Sequence, residues 1–85
     1  MPFEFDSAKD AINRRRHGLS LAEVRPFDRE PKVVRDDRFD YGEIRHRAFG
    51  RVDGKPHCRI FTFTETGVRV ISYRRAREKE LRRYE

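Results

Sequence analysis

The sequence predicts one small α+β domain over residues 1–85, and three observations carry that expectation. Ala8, Ala11 and Ile12 recur at three- and four-residue spacing, the period of a helix. From Glu43 to Arg74 the apolar residues alternate instead with period two, and beyond Arg74 charge dominates around a thin seam of Ala76, Leu81 and Tyr84. Helices, then a meander, then a terminal helix read as a small antiparallel sheet packed against two N-terminal helices and one C-terminal helix.

Each element has a local reason. Phe3-Glu4-Phe5 alternates and makes a brief first strand, and Asp6 caps a helix from Ser7 to Arg16 or His17 that Gly18 stops. Arg14, Arg15 and Arg16 fall in its last turn, where positive charge suits the helix dipole, and His17 is expected to close it on a carbonyl. Ser20-Leu21-Ala22-Glu23 reads as a capping box opening a second, short helix that Pro26 ends. Around Val33-Val34 a short edge strand is expected between loops, with Asp36, Asp37 and Asp40 paired to arginines. A strand from Glu43 puts Ile44, His46 and Ala48 on the core face and Glu43, Arg45, Arg47 and Phe49 on the other. Asp53-Gly54 turns the chain into a strand from Lys55 to Glu65, central because Phe61 and Phe63 oppose Ile60 and Thr62. Thr66-Gly67 turns it again into Val68 to Arg74, and the last helix is expected from about Arg75.

A chain of 85 residues buries only about 60% of its unfolded surface. With 42% charged residues its stability leans on a partner, yet seven Phe and three Tyr argue against disorder. No charged start precedes an apolar run, and no apolar segment nears the roughly 20 residues of a membrane span, so a cytoplasmic protein without membrane contact is expected. Cys58 is the single cysteine, and His57 beside it points to the opposite face of a strand, so no metal site or other cofactor is expected.

The net charge of +6 rests on seventeen Arg and only four Lys. Arginine offers a planar donor fork suited to phosphate or carboxylate, so the partner is RNA, DNA or an acidic protein. From Arg69 to Glu85 the chain holds seven basic residues against three acids. Arg69 and Arg74 stand inside the strand part of that run, where a sheet fixes their direction; the bland alternative is that they pair with Glu65 or Glu78. Strict alternation puts them on opposite faces, and a bulge or the strand's end near Ser72 to Arg74 is needed to bring Arg74 round.

Three blocks in order carry a resemblance. They are Phe5-Asp6, Lys9, Asn13, Arg16-His17-Gly18 and Ser20; then Gly42-Glu43-Ile44-Arg45 with Ala48 and Gly50; then Arg69-Val70-Ile71-Ser72-Tyr73-Arg74-Arg75-Ala76 with Glu80 and Tyr84. Together they resemble the BrnT family, toxins of bacterial type II toxin–antitoxin pairs. The resemblance implies a RelE-like fold, ribonuclease activity that stops translation, and a cognate BrnA-like antitoxin through which alone DNA is engaged.

Cleavage of RNA by its own 2′-hydroxyl needs a proton acceptor, cations on the phosphoryl oxygens and an acid for the leaving 5′-oxygen, and no metal. On the matching positions, Arg74 and Arg69 are the phosphate-stabilising cations, with Arg45 and Glu43 reaching the same surface or forming a cross-strand ion pair. His46 has a suitable titration range but falls on the core face, while Glu80 and Tyr84 are alternatives that a packed helix would absorb. Arg75, Arg77, Lys55 and Tyr73 are the RNA-contacting candidates, Tyr73 either stacking a base or filling the sheet. The chain departs from the family in Thr66, where many members carry a basic residue. That departure leaves open a non-catalytic RNA-binding or antitoxin-binding module, and a DNA-binding regulator stands third.

Overall fold

Period-two patterning and turn chemistry act where expected, and a computed structural model describes residues 3–84, with Met1, Pro2 and Glu85 of the expected domain outside them. In chain order the elements are β1 (Phe3–Glu4), α1 (Ser7–His17), a 3₁₀ turn (Leu21–Glu23), β2 (Lys32–Arg35), β3 (His46–Val52), β4 (Lys55–Thr64), β5 (Gly67–Arg75) and α2 (Glu78–Arg82). The sheet order is β1-β5-β4-β3-β2, which makes β4 the central strand as its two-sided pattern predicts. Asp53 and Gly54 have φ of 51° and 76°, the left-handed pair of a tight hairpin. The Asp28 carboxylate accepts the N–H of both, at 3.0 and 2.8 Å, and ties the preceding loop to this turn.

Four expectations are corrected. The sheet is mixed, because β1 runs parallel to β5 through Phe3↔Val68 and Glu4↔Arg69. The second N-terminal helix is only a 3₁₀ turn: the Ser20 hydroxyl accepts the Ala22 N–H, but Val24 is already extended and Pro26 forbids continuation. β3 starts at His46 rather than Glu43, because the Ile44 carbonyl is taken by the Thr62 hydroxyl at 2.7 Å instead of a ladder bond. β5 runs on to Arg75, paired with His57, so α2 begins at Glu78 rather than near Arg75.

Side chains alternate across the sheet, so two small cores form. On one face Phe49, Cys58 and Leu81 pack with Val34, Ala76 and Tyr84, the Tyr84 ring stacked 4.1 Å from Phe49. On the other, Leu21, Val70 and Tyr73 pack with Leu19, Val24 and Val68. These are the α2 face and the opposite face. A five-residue helix has little stability of its own, and α2 is held by Leu81 and by two arginine forks from the sheet: Arg51 grips Glu78 at 2.7 and 2.9 Å, and Arg74 grips Glu80 at 2.9 Å twice.

α1 closes the β5 side of the sheet through one residue. Buried Asn13 accepts the Tyr73 N–H at 3.0 Å and donates to the Tyr73 carbonyl at 2.7 Å and the Leu19 carbonyl at 2.8 Å. Its amide does for Tyr73 what a neighbouring strand would do. Gly18 ends α1 at φ 72°, its N–H bonded to Arg14 O, so glycine rather than a His17 side-chain bond makes the cap.

Candidate functional site

Cross-strand partners share a face, and the ladder between β4 and β5 slips by one between Ile60 and Phe61. Ile60 faces Ser72 and Phe61 faces Val70, which leaves Ile71 as the extra residue of a bulge. Below the bulge Arg69 pairs with Thr62, and above it Arg74 pairs with Cys58, so both arginines project from the α2 face. Arg47 joins them, since it faces Ile60, which faces Ser72. Around the Ile60–Ser72 pair, Arg47 lies at a Cα separation of roughly 12 Å from each of Arg69 and Arg74, the distance of two strands and two residues.

The three cations differ in their commitments. Arg74 is partly buried and both terminal nitrogens of its guanidinium bond Glu80, which pushes its pKa up and holds the Glu80 carboxyl below the ordinary range. Arg69 lies 3.6 Å from Glu4, its cross-strand neighbour, with both side chains about half exposed; such a pair is weak and screened by salt. The expected partners Glu65 and Glu78 are not used by either arginine. Arg47 has no carboxylate partner among the described residues, its Nε is buried without a hydrogen-bond partner, and its guanidinium lies 5.5 Å from the Phe49 ring. Sequence reasoning placed Arg47 on the right face and still passed over it, because only the ladder shows how it stands to Arg69 and Arg74.

His17 is the second residue missed. Partial desolvation, then the charges of Arg74 and Arg16, hold its imidazole below the usual range, so His17 feels the charge of Arg74. Its place at the end of α1 was legible; its neighbour was not.

The remaining candidates separate. His46 sits on the opposite face, its ring stacked 5.5 Å from Phe61 and edge-on to Phe63 at 5.4 Å, with Nδ1 buried and unpartnered. Glu43 and Arg45 precede β3 and pair with each other at 2.9 Å, a contact within one segment rather than across strands, while Arg45 also lies 4.2 Å over Tyr41. Tyr73 is 3% exposed and stacks on His57, so it fills the sheet and presents no ring to a base. Lys55 and Arg75 are exposed but belong to the opposite face, and exposed Arg77 stands at the N-terminus of α2. Tyr84 packs on Phe49. Cys58, beneath Arg74, is buried, which pushes its thiol up to about 11 and leaves it inert as a nucleophile.

Two of the three acids, Asp36 and Asp37, pair with arginines as expected, and among the described residues Asp40 does not. Asp36, its side chain 1% exposed, accepts Arg38 Nε and Nη2 at 2.7 and 2.9 Å and Tyr41 Oη at 3.2 Å, and Asp37 lies 3.2 Å from Arg35. Asp40 accepts the Gly42 N–H at 3.0 Å and shapes the turn before Glu43.

A face that carries three arginines, with no thiol or hydroxyl nucleophile paired to a base among the described residues, suits phosphodiester chemistry in which the substrate brings its own nucleophile. No helix of the described residues is long and apolar enough to cross a membrane. A search of curated proteins finds no match to this chain. Residues 5–80 do match the model of a family described as the ribonuclease toxin, BrnT, of type II toxin-antitoxin systems. That span contains all three arginines, Asn13, His17 and Glu80, and the chain belongs to the BrnT family of ribonuclease toxins.

Proposed function

We propose that this protein is a metal-independent endoribonuclease that stops translation in the cytoplasm by cutting RNA and is neutralised by a BrnA-like antitoxin. The observation that carries the reading is the bulge at Ile71, which puts Arg69 and Arg74 on one face with Arg47. Arg74 and Arg69 bear on the non-bridging phosphoryl oxygens, and Arg47, which has no acid to give up, meets the same or the adjoining phosphate. Attack by the 2′-hydroxyl then forms a 2′,3′-cyclic phosphate and releases a 5′-hydroxyl. His17, whose imidazole is held below the ordinary range, accepts the 2′-proton, and the departing 5′-oxygen takes its proton from water. His46 and Glu43 have no part in proton transfer in this reading, the first because it faces away and the second because Arg45 holds it.

Incubation of the purified protein with RNA in excess chelator tests the proposal. Protein-dependent cutting with cyclic-phosphate ends, abolished at one bond by a single 2′-deoxy substitution there, is expected. Cutting that needs a divalent ion, or that persists at the deoxy position, would mean that water or a metal-bound hydroxide attacks. A binding module without cleavage is the second reading, and one observation favours it: Glu80 occupies both terminal nitrogens of Arg74.

A further inference from the structure

On the face opposite Arg47, Arg69 and Arg74 every strand of the sheet contributes an apolar side chain, with Phe3, Val68, Phe61, Ala48 and Val33 all standing on that side by register. Between them and the segment that follows the 3₁₀ turn runs an open groove of about 390 Å³. One wall of the groove is built into the fold. The Phe27 ring lies so close on Gly50 that an added Cβ would come within 2.6 Å of it, and the Asp28 N–H donates to the Arg51 carbonyl at 2.8 Å. At the rim Val33 and Phe3 remain 45% and 43% exposed, so the apolar row is open to a partner.

The charges of the groove decide what fits it. Ten of the twelve described residues that line it are apolar, the other two are Arg25 and Arg59, and none is an acid. Arg25 meets Asp53 at 2.7 Å in a largely exposed and therefore weak pair. Arg59 has no carboxylate partner among the described residues: its guanidinium lies 3.9 Å over the Phe27 ring and one terminal nitrogen donates to the Arg25 carbonyl. Burial holds its pKa below the ordinary range, as for a cation short of counter-charge. A nucleic acid seeks a more polar and more densely cationic surface than this one. A second copy of the chain would bring the same two arginines and its own net charge of +6 against the groove. A protein segment with apolar side chains on one side and a carboxylate at its edge complements both the lining and the unmatched charge.

We propose that this groove docks an amphipathic, acidic segment of the antitoxin, with apolar side chains over Phe61 between Phe3 and Val33 and a carboxylate on Arg59. The inference rests on the reading of the chain as the partner of an antitoxin and deepens it, placing the docking surface behind the arginine face on residues that take no part in cleavage.

Calorimetric titration of the purified protein with its cognate antitoxin, read beside the binding of a non-cleavable 2′-O-methyl oligonucleotide, tests the surface apart from catalysis. Val33→Glu sets a like charge against the acidic segment and should weaken the antitoxin by roughly 10- to 100-fold, while Val33→Ile keeps parent affinity. Arg59→Gln, whose amide can still donate to the Arg25 carbonyl, should lose a similar factor and flatten the salt dependence of binding. Arg15→Gln removes one charge from the exposed last turn of α1 and should do neither. Oligonucleotide affinity should stay within several-fold of the parent throughout. An unchanged melting temperature checks that each variant folds, and should one of the two melt early the other decides. Parent-like antitoxin affinity in a folded Val33→Glu or Arg59→Gln protein overturns the docking surface and leaves the ribonuclease reading intact. An equal loss of oligonucleotide affinity overturns it as well, since the groove would then serve RNA, and so does a dimer of the free protein that Val33→Glu dissociates. If the antitoxin does not bind the parent protein, the toxin–antitoxin reading itself fails and the docking surface falls with it.

Discussion

Arg74 and Glu80 form a two-pronged pair, 2.9 Å at each prong, that joins the sheet to α2 at the centre of the candidate site. One residue is therefore a fastening for the helix and, in the proposed mechanism, also the leading phosphate-binding cation. Glu80→Ala removes the fastening and leaves the cation, so it separates the two roles. Arg74→Ala is expected to cost about 100- to 1000-fold in cleavage rate, whereas Glu80→Ala lowers the melting temperature similarly but keeps cleavage within several-fold and tightens binding at low salt. Equal losses of cleavage in the two variants would make Arg74 a structural residue.

In the proposed mechanism the pH dependence of cleavage reports on His17. With its imidazole held below the ordinary range, the neutral base form predominates at pH 7. Cleavage should rise with pH along a limb whose midpoint lies below about 6.5, the unperturbed value, and His17→Gln should abolish that limb. A limb unchanged in the variant would assign the proton transfer to another group.

Asn13 supports the site from beneath. Replacing it by Ala strands the Tyr73 N–H and C=O and the Leu19 carbonyl in a buried setting. The expected loss is about 2–4 kcal/mol, which lowers the melting temperature by roughly 10–25 °C in a domain of this size. Thermal unfolding followed by circular dichroism measures it, and a loss within experimental error would show that water replaces the amide.

Acid stability depends on Asp36. Its carboxyl is held down to about 2 by the bond from Arg38, against an ordinary value of 3.8. Because the folded value is depressed, the stabilisation is complete above pH 4 and drains away as pH falls toward 2. Its size is on the order of 2 kcal/mol. Urea titrations of parent and Asp36→Asn should differ by about that much at pH 7 and converge by pH 2.

Local signals were legible and long-range ones were not. Asp6, Gly18, Asp53-Gly54 and Thr66-Gly67 mark their boundaries because capping and turn chemistry is written in adjacent residues. The parallel docking of β1 on β5, the early arrest of the helix after Ser20 and the run of β5 through Arg75 depend on partners far along the chain. The site divides in the same way. Arg69 and Arg74 stood out by motif, yet counting residues set them on opposite faces unless a bulge intervened, and the bulge arises from pairing with β4. Glu80 rather than Glu78 takes Arg74 because β5 continues to Arg75 and α2 starts at Glu78, leaving Arg51 to take the earlier acid.

The extra residue at Ile71 makes this stretch of chain sensitive to length in a way that it is not to identity. Many side chains can occupy position 71 without altering what lies on either side of it. Deleting the residue is another matter: regular alternation would resume, and Arg74 would exchange sides with Tyr73, carrying a guanidinium into the cluster of Leu21 and Val70 and a phenol ring out to Glu80. Single-codon insertions and deletions between Arg69 and Arg74 should thus be far more damaging than any substitution at Ile71, which makes the five-residue interval a measuring device built into the strand.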